Sequence, residues 1–160
     1  MICLEKIKKN KKILLIIFFI LLLIILDQTV KSIVIGKDIT IIENVFKINA
    51  VENYGGAFGV GQTGTMTFVI TNIIVIGIIL KFMRMQEEQI DKKTYFALSL
   101  IIAGALSNLI DKLFRGYVLE FLKVKAVAFN IADILIILGW ILLALFFAMH
   151  TSKIKIKKGR

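Results

Sequence analysis

The acids and amides of this sequence gather at the ends of apolar runs, where an ionisable group is costly and needs a reason. Asp27 and Lys31 stand four apart at the end of the first run, acid first, the favoured order for a helical ion pair. Gly104, Asn108, Asp111 and Arg115 recur at i, i+4, i+7 and i+11, one continuous stripe of a helix. Asn130 and Asp133 are three apart at the start of the last run and share a face; Gly139 follows further down. Each group also has a plain structural reading. The first could be an interfacial salt bridge, and the second helix–helix glue with an Asp111–Arg115 bridge. The third could be an acid stabilised by the helix dipole. Asp133, with no basic residue nearby in sequence, is also a candidate for a perturbed titration. Carboxylates so placed suit acid–base chemistry in a setting of low dielectric.

Other chemistries are poorly provided for. Cys3 is the only cysteine and His150 the only histidine, which leaves no disulfide, thiolate cluster or histidine-based triad to build. No metal or organic cofactor is implied. The net charge of +10 is concentrated at the ends: Lys6, Lys8, Lys9, Lys11 and Lys12 precede the first apolar run, and Lys153, Lys155, Lys157, Lys158 and Arg160 follow the last. These cations bracket hydrophobic segments without aromatic interleaving, the pattern of membrane-flanking anchors rather than of a nucleic-acid surface.

The elements that must position these residues are membrane spans. The 160 residues hold a single domain, are 58% hydrophobic and contain no proline; the mean hydropathy is +0.87. A helix needs about 20 residues to cross roughly 30 Å of hydrocarbon, and four stretches qualify, at approximately 12–33, 65–83, 94–113 and 128–149. No small-residue cleavage site follows the first, where Asp27-Gln28-Thr29 stands instead, so we expect an uncleaved span. Two basic termini and an even number of spans predict both ends in the cytoplasm, although Lys112, Arg115, Lys123 and Lys125 would then lie outside. Parity places Asp27, Asp111, Glu120 and Asp133 near one membrane face. Between spans one and two lies a polar segment, residues 36–64, in which Phe46, Ile48 and Ala50 alternate with Lys47, Asn49 and Val51 before the chain becomes glycine-rich. The expected architecture is an all-α, four-helix membrane bundle with a small extracytoplasmic β element between helices 1 and 2.

Five segments in order resemble the lipoprotein signal peptidases, or type II signal peptidases. They are Asp27-Gln28-Thr29-Val30-Lys31, Asn53-Tyr54-Gly55-Gly56-Ala57-Phe58, the stretch from Ala103 to Lys112, Gly116-Tyr117-Val118-Leu119-Glu120-Phe121, and Phe129-Asn130-Ile131-Ala132-Asp133. The resemblance implies a membrane aspartic endopeptidase of the bacterial cell membrane, with its site towards the extracytoplasmic face. It would remove the signal peptide of diacylglyceryl-modified prolipoproteins before the lipidated cysteine. It maps the catalytic pair onto Glu120 and Asp133. Asp27, Lys31, Asn53, Gly56, Phe58, Gly104, Asn108, Asp111, Lys112 and Asn130 become substrate-binding or supporting residues. The partners it implies are lipidated signal peptides and membrane lipids, with no nucleic acid, for a protein acting as a monomer.

The sequence departs from the family pattern at four points. Ser107 stands where the family carries glycine and Lys112 where it carries arginine, which lysine cannot match in a bidentate contact. The interval from Glu120 to Asp133 is short. Glu120 replaces an aspartate and adds one methylene, and a misplacement of about 1 Å can cost roughly 10²-fold in rate. A relative that binds lipidated peptides without cutting them efficiently is therefore the competing expectation. A small transporter is disfavoured, because the polar groups collect at one face instead of tracing a path across the bilayer.

Overall fold

The computed structural model describes the backbone of residues 2–55, 64–86 and 89–158, and the side chains of residues 11–55, 64–86 and 89–149. Four helices, α1 (Ile2–Val34), α2 (Thr65–Met85), α3 (Lys92–Phe114) and α4 (Ile131–Lys158), carry four strands: β1 (Asp38–Ile42), β2 (Phe46–Asn53), β3 (Val118–Val124) and β4 (Val127–Phe129). Each helix contains a stretch long and apolar enough to cross a membrane: Lys11–Val34, Thr65–Met85, Lys92–Phe114 and Ile131–Met149.

Helix α3 is the centre of the bundle. Its most apolar window is 78% buried, against 11–17% for the other three. Its sequence explains this, because Ala97, Ala103, Gly104 and Ala105 let neighbours come close while Leu98, Leu100, Ile101 and Ile102 fill the gaps between them. Ile79 of α2 packs on Leu98, Ile101 and Ile102, and Leu135 of α4 packs on Leu100 and Ala103. The outer helices turn residues such as Leu14, Phe18, Ile78 and Phe147 outwards, an apolar surface that hydrocarbon can cover.

Two glycines set the tightest approaches. A Cβ on Gly104 would collide with the carbonyl oxygen of Ala132 and lie 2.7 Å from Ile136 Cγ1. One on Gly139 would lie 2.8 Å from Ala97 O. Both positions lie on the α3–α4 contact, so α4 is held against α3 at two heights.

The β element is larger than the sequence reading allows. The expected part, β1–β2, pairs antiparallel, and β3 and β4 extend it to a four-stranded sheet in the order β1-β2-β3-β4. Half of the sheet therefore comes from the connection between α3 and α4. The fourth helix starts at Ile131 rather than near residue 128, because Val127–Phe129 pairs with β3 instead of winding into the helix. Gly116 at φ +80° makes the turn that leads out of α3 into β3. Between Ile48 and Val51 the β2–β3 register slips by one, so Asn49 and Ala50 oppose the single residue Phe121. This bulge sits directly beside Glu120, where it re-aims the strand.

Candidate active site

Asp27, Lys31 and Asp111 are fully buried, and all three were expected from sequence to serve the site. Lys31 Nζ lies 2.7 Å from Asp27 Oδ2 and 2.7 Å from Asp111 Oδ2, and donates to Asn108 Oδ1 at 3.2 Å. Its three N–H groups thus have three acceptors. The other oxygen of Asp27 accepts the backbone N–H of Ala132 at 3.0 Å, which ties α1 to the start of α4. Asp111 Oδ2 also accepts Leu119 N–H at 3.1 Å, fixing β3 to α3. Its Oδ1 accepts from Gln28 Nε2 at 2.9 Å and pairs with Arg115. The Asp27–Lys31 pair is therefore a buried junction of three helices and a strand, not an interfacial bridge. Two acids against Lys31 and Arg115 leave it electrically balanced, as burial requires.

Ser107 has a place in this junction. Its Oγ donates to Asp27 Oδ2 at 2.6 Å and accepts from Gln28 Nε2 at 3.1 Å. Gln28, Ser107 and Arg115 are supporting residues that the sequence reading did not assign. The signal available was their position, one residue or one helical turn from assigned acids.

Asn108 transmits this order outwards. Its Oδ1 accepts from Lys31 and, at 3.0 Å, from Asn130 Nδ2, so its amide must turn Nδ2 towards Asp133 Oδ1, at 2.8 Å. Asn130 is the cap of α4. Its Oδ1 accepts Asp133 N–H at 2.8 Å while Asp133 Oδ2 accepts Asn130 N–H at 3.1 Å, a reciprocal capping arrangement. Asn130 Nδ2 also reaches Leu119 O at 3.1 Å. The helix-start role of Asp133 is thus real, yet it coexists with exposure to a cavity.

Glu120 approaches that cavity from β3. It is 6% exposed, and its Oε1 accepts from Asn53 Nδ2 at 2.5 Å. Asn53 Oδ1 accepts Gly55 N–H at 2.8 Å, which fixes which end of the amide faces Glu120. Burial pushes the Glu120 carboxyl above the ordinary glutamate range, against the opposing pull of the Asn53 hydrogen bond; the nearby charge of Asp133 pushes it further up. Lys112, 1% exposed, donates to the backbone carbonyls of Asn53 and Tyr54 at 3.2 and 2.9 Å. It holds the segment that holds Glu120, and two separate carbonyls suit an ammonium without any bidentate contact.

Glu120, Asp133, Asn53 and Asn108 all line one cavity of about 270 Å³, whose other walls include Phe68, Val118, Ile136 and Ile137. The two acids the motifs single out are thus brought together by strand β3 and the start of α4, which Asn130 ties to each other through Leu119 O. The α2 wall, Phe68 with Asn72, was not anticipated, since neither residue stands out from its span. Gly104 lies behind the site, under Ala132. Gly56 and Phe58 lie outside the described residues.

A family model, signal peptidase (SPase) II, matches residues 19–149. The chain belongs to the signal peptidase II family. It is 40% identical over 124 residues to the lipoprotein signal peptidase of Clostridium novyi, covering 73% of this chain and 82% of that one. With the lipoprotein signal peptidase of Clostridium tetani it shares 37% over 123 residues, 73% and 78% of the two chains. A bacterial membrane enzyme solved by the in meso method at 2.3 Å superposes with a TM-score of 0.77 at 28% identity, over 86% of this chain and 90% of that one. The matched region takes in part of each of α1 and α4, all of α2 and α3 and the whole sheet, so this member of the signal peptidase II family is a multi-pass membrane protein with Glu120 and Asp133 inside the matched region.

Proposed function

We propose that this chain is a membrane-embedded aspartic endopeptidase that removes the signal peptide from diacylglyceryl-modified prolipoproteins, cutting before the lipidated cysteine, with Glu120 and Asp133 as the reacting acids. The observation that carries the reading is that these two carboxylates line one cavity whose remaining walls are largely apolar. Two neighbouring carboxylates in such a place share a proton and titrate as a pair. The ionised member takes a proton from a water molecule, and the oxygen of that water attacks the scissile carbonyl. The protonated member hydrogen-bonds to the carbonyl oxygen as it gains charge. A proton then passes to the leaving nitrogen as the carbon–nitrogen bond breaks, and the pair returns to its shared-proton state.

The other residues act through these two. Asn53 orients Glu120, Asn108 and Asn130 orient Asp133, and the Asp27–Lys31–Asp111 junction orients Asn108. Phe68, Ile136 and Ile137 offer an apolar wall to a lipid-modified segment arriving from the bilayer. In this reading both termini are cytoplasmic, the sheet and the acids lie at the extracytoplasmic face, and one copy of the chain is sufficient. The alternative of a relative that only binds is not favoured, because the longer glutamate is seated on a hydrogen bond rather than displaced from the cavity.

Purified protein in lipid vesicles, given a synthetic diacylglyceryl-modified precursor, is expected to release a product that begins at the lipidated cysteine. The unlipidated precursor should be cut far more slowly. Binding without release of any product, over a broad pH range, would overturn the reading.

A further inference from the structure

The outer half of the sheet has two unlike faces. By register, Ile39, Ile48, Leu122 and Phe129 form one row and Ile42, Phe46, Val124 and Val127 a second row on the same face. Every residue of both rows is apolar. The row between them, Thr40, Lys47, Lys123 and Ala128, points to the other face and sets two lysines directly opposite each other. Like charges in that position repel. Lys125 sits in the β3–β4 turn at φ +53°, its N–H bonded to Val45 O at 2.9 Å, and Lys37 precedes β1. Among the described residues none of these four lysines is in an ion pair, and the exposed acids of the sheet, Asp38, Glu43 and Glu52, leave one positive charge in excess. Lys47, Lys123 and Lys125, with Asn44 and Glu43, line a groove of about 440 Å³ at the tip of the sheet.

The sheet cannot stand clear of the bilayer. Only residues 35–37 separate α1 from β1, and a single residue, Asn130, separates β4 from α4. At no more than about 3.6 Å per residue, three residues span roughly 11 Å. Four apolar helices place a lipid surface within that reach. Exposed Ile39, Ile42 and Val127 would otherwise face water; a basic element with one apolar face is the composition that settles into an interface and draws anionic headgroups.

From this we propose that the sheet tip is a docking site for the anionic phospholipid surface of the adjoining leaflet, with Lys47, Lys123 and Lys125 meeting headgroup phosphates and the Ile39–Val127 face entering the acyl boundary. The proposal does not depend on the peptidase reading. It explains why two lysines are opposed across a strand pair, and why basic residues persist on the side of the membrane that charge bias would leave poor in them.

The test uses the full chain with Cys3→Ser and one reporter, Val127→Cys, carrying a polarity-sensitive fluorophore. It compares vesicles of phosphatidylcholine with vesicles of mixed phosphatidylcholine and phosphatidylglycerol. A second reporter, Ile78→Cys in the middle of α2, checks that the bundle is inserted. Quenching of the Val127 label by acrylamide, which is neutral, is expected to fall in the anionic vesicles. The expected change in the shielded-to-exposed ratio is about fivefold or more, the scale of a single lysine at an anionic surface. Molar salt, or the combined Lys47→Gln, Lys123→Gln and Lys125→Gln substitutions, should cancel the change while the Ile78 label stays shielded. Soluble glycerophosphate should not reproduce it. A Val127 label that is equally quenched in both vesicle types, whether shielded or open, would overturn the proposal. So would a response unaltered in the triple variant, or one produced by soluble glycerophosphate.

Discussion

Glu120 stands where the resemblance implies an aspartate, and the structure shows how the longer acid is seated. Its carboxylate rests on Asn53 at 2.5 Å, and the register slip in β2 lies beside it. The site is thus fitted to a glutamate. Glu120→Asp is expected to lower kcat/KM by about 10²-fold, because shortening the side chain lifts the carboxylate off Asn53; unchanged or improved activity would show that Asn53 is not its positioning partner. Burial of Glu120 also has a cost in stability with a definite sign. Its folded-state pKa lies above the ordinary value, so this group's contribution to stability falls as pH rises from the ordinary glutamate range through the raised one. Glu120→Gln should therefore raise Tm at neutral pH, and the gain should shrink as pH falls to the ordinary range. Thermal unfolding in detergent across that window reads it. Asp27, Asn108, Asp111, Asn130 and Asp133 were legible because each sits near a span end, whereas Asn53 and Glu120, which lie in strands between spans, were reached only through the motif resemblance. The supporting role of Ser107 was not legible, because the partners that define it, Asp27 and Gln28, are some eighty positions away.

At the scale of elements, the α3–α4 contact sets the height of Asp133. Gly104→Ala inserts a methyl into Ala132 and Ile136, at a cost of about 1–3 kcal/mol from overpacking. It should also reduce cleavage at temperatures where the protein is still folded, since Ala132 adjoins Asp133. Gly139→Ala meets Ala97 and Ile101 well below the site. It should cost comparable stability with near-normal activity under the same conditions, and paired thermal and cleavage assays separate the two. The helices were readable from apolar length alone. The second strand showed alternation, but β3 did not: Val118, Leu119, Glu120 and Phe121 are all buried, so neither face is polar enough to give a period of two. That is why half of the sheet, and with it the backbone that carries Glu120, was invisible before the structure.

For the whole molecule, the sheet and both acids lie at one end of the bundle and the α2–α3 connection at the other, so the direction of insertion decides which compartment the site serves. In a Cys3→Ser background, Asn44→Cys at the sheet tip should react with an impermeant maleimide on intact cells. Gln89→Cys, between α2 and α3, should react only after permeabilisation; the reverse pattern would place the site in the cytoplasm. Lys112 and Arg115, which weighed against this orientation when counted as free charges, are internal ligands of Asn53, Tyr54, Gln28 and Asp111. The sequence count could not distinguish a lysine that satisfies buried carbonyls from one that faces water. The central claim is that Glu120 and Asp133 act together on one substrate. Its most direct test is the cleavage rate of a diacylglyceryl-modified precursor by vesicle-embedded Glu120→Gln, alongside Asp133→Asn and the unaltered chain. Loss of about 10³-fold or more in each variant, with the fold intact, is the predicted result; substantial cleavage by Glu120→Gln would contradict it.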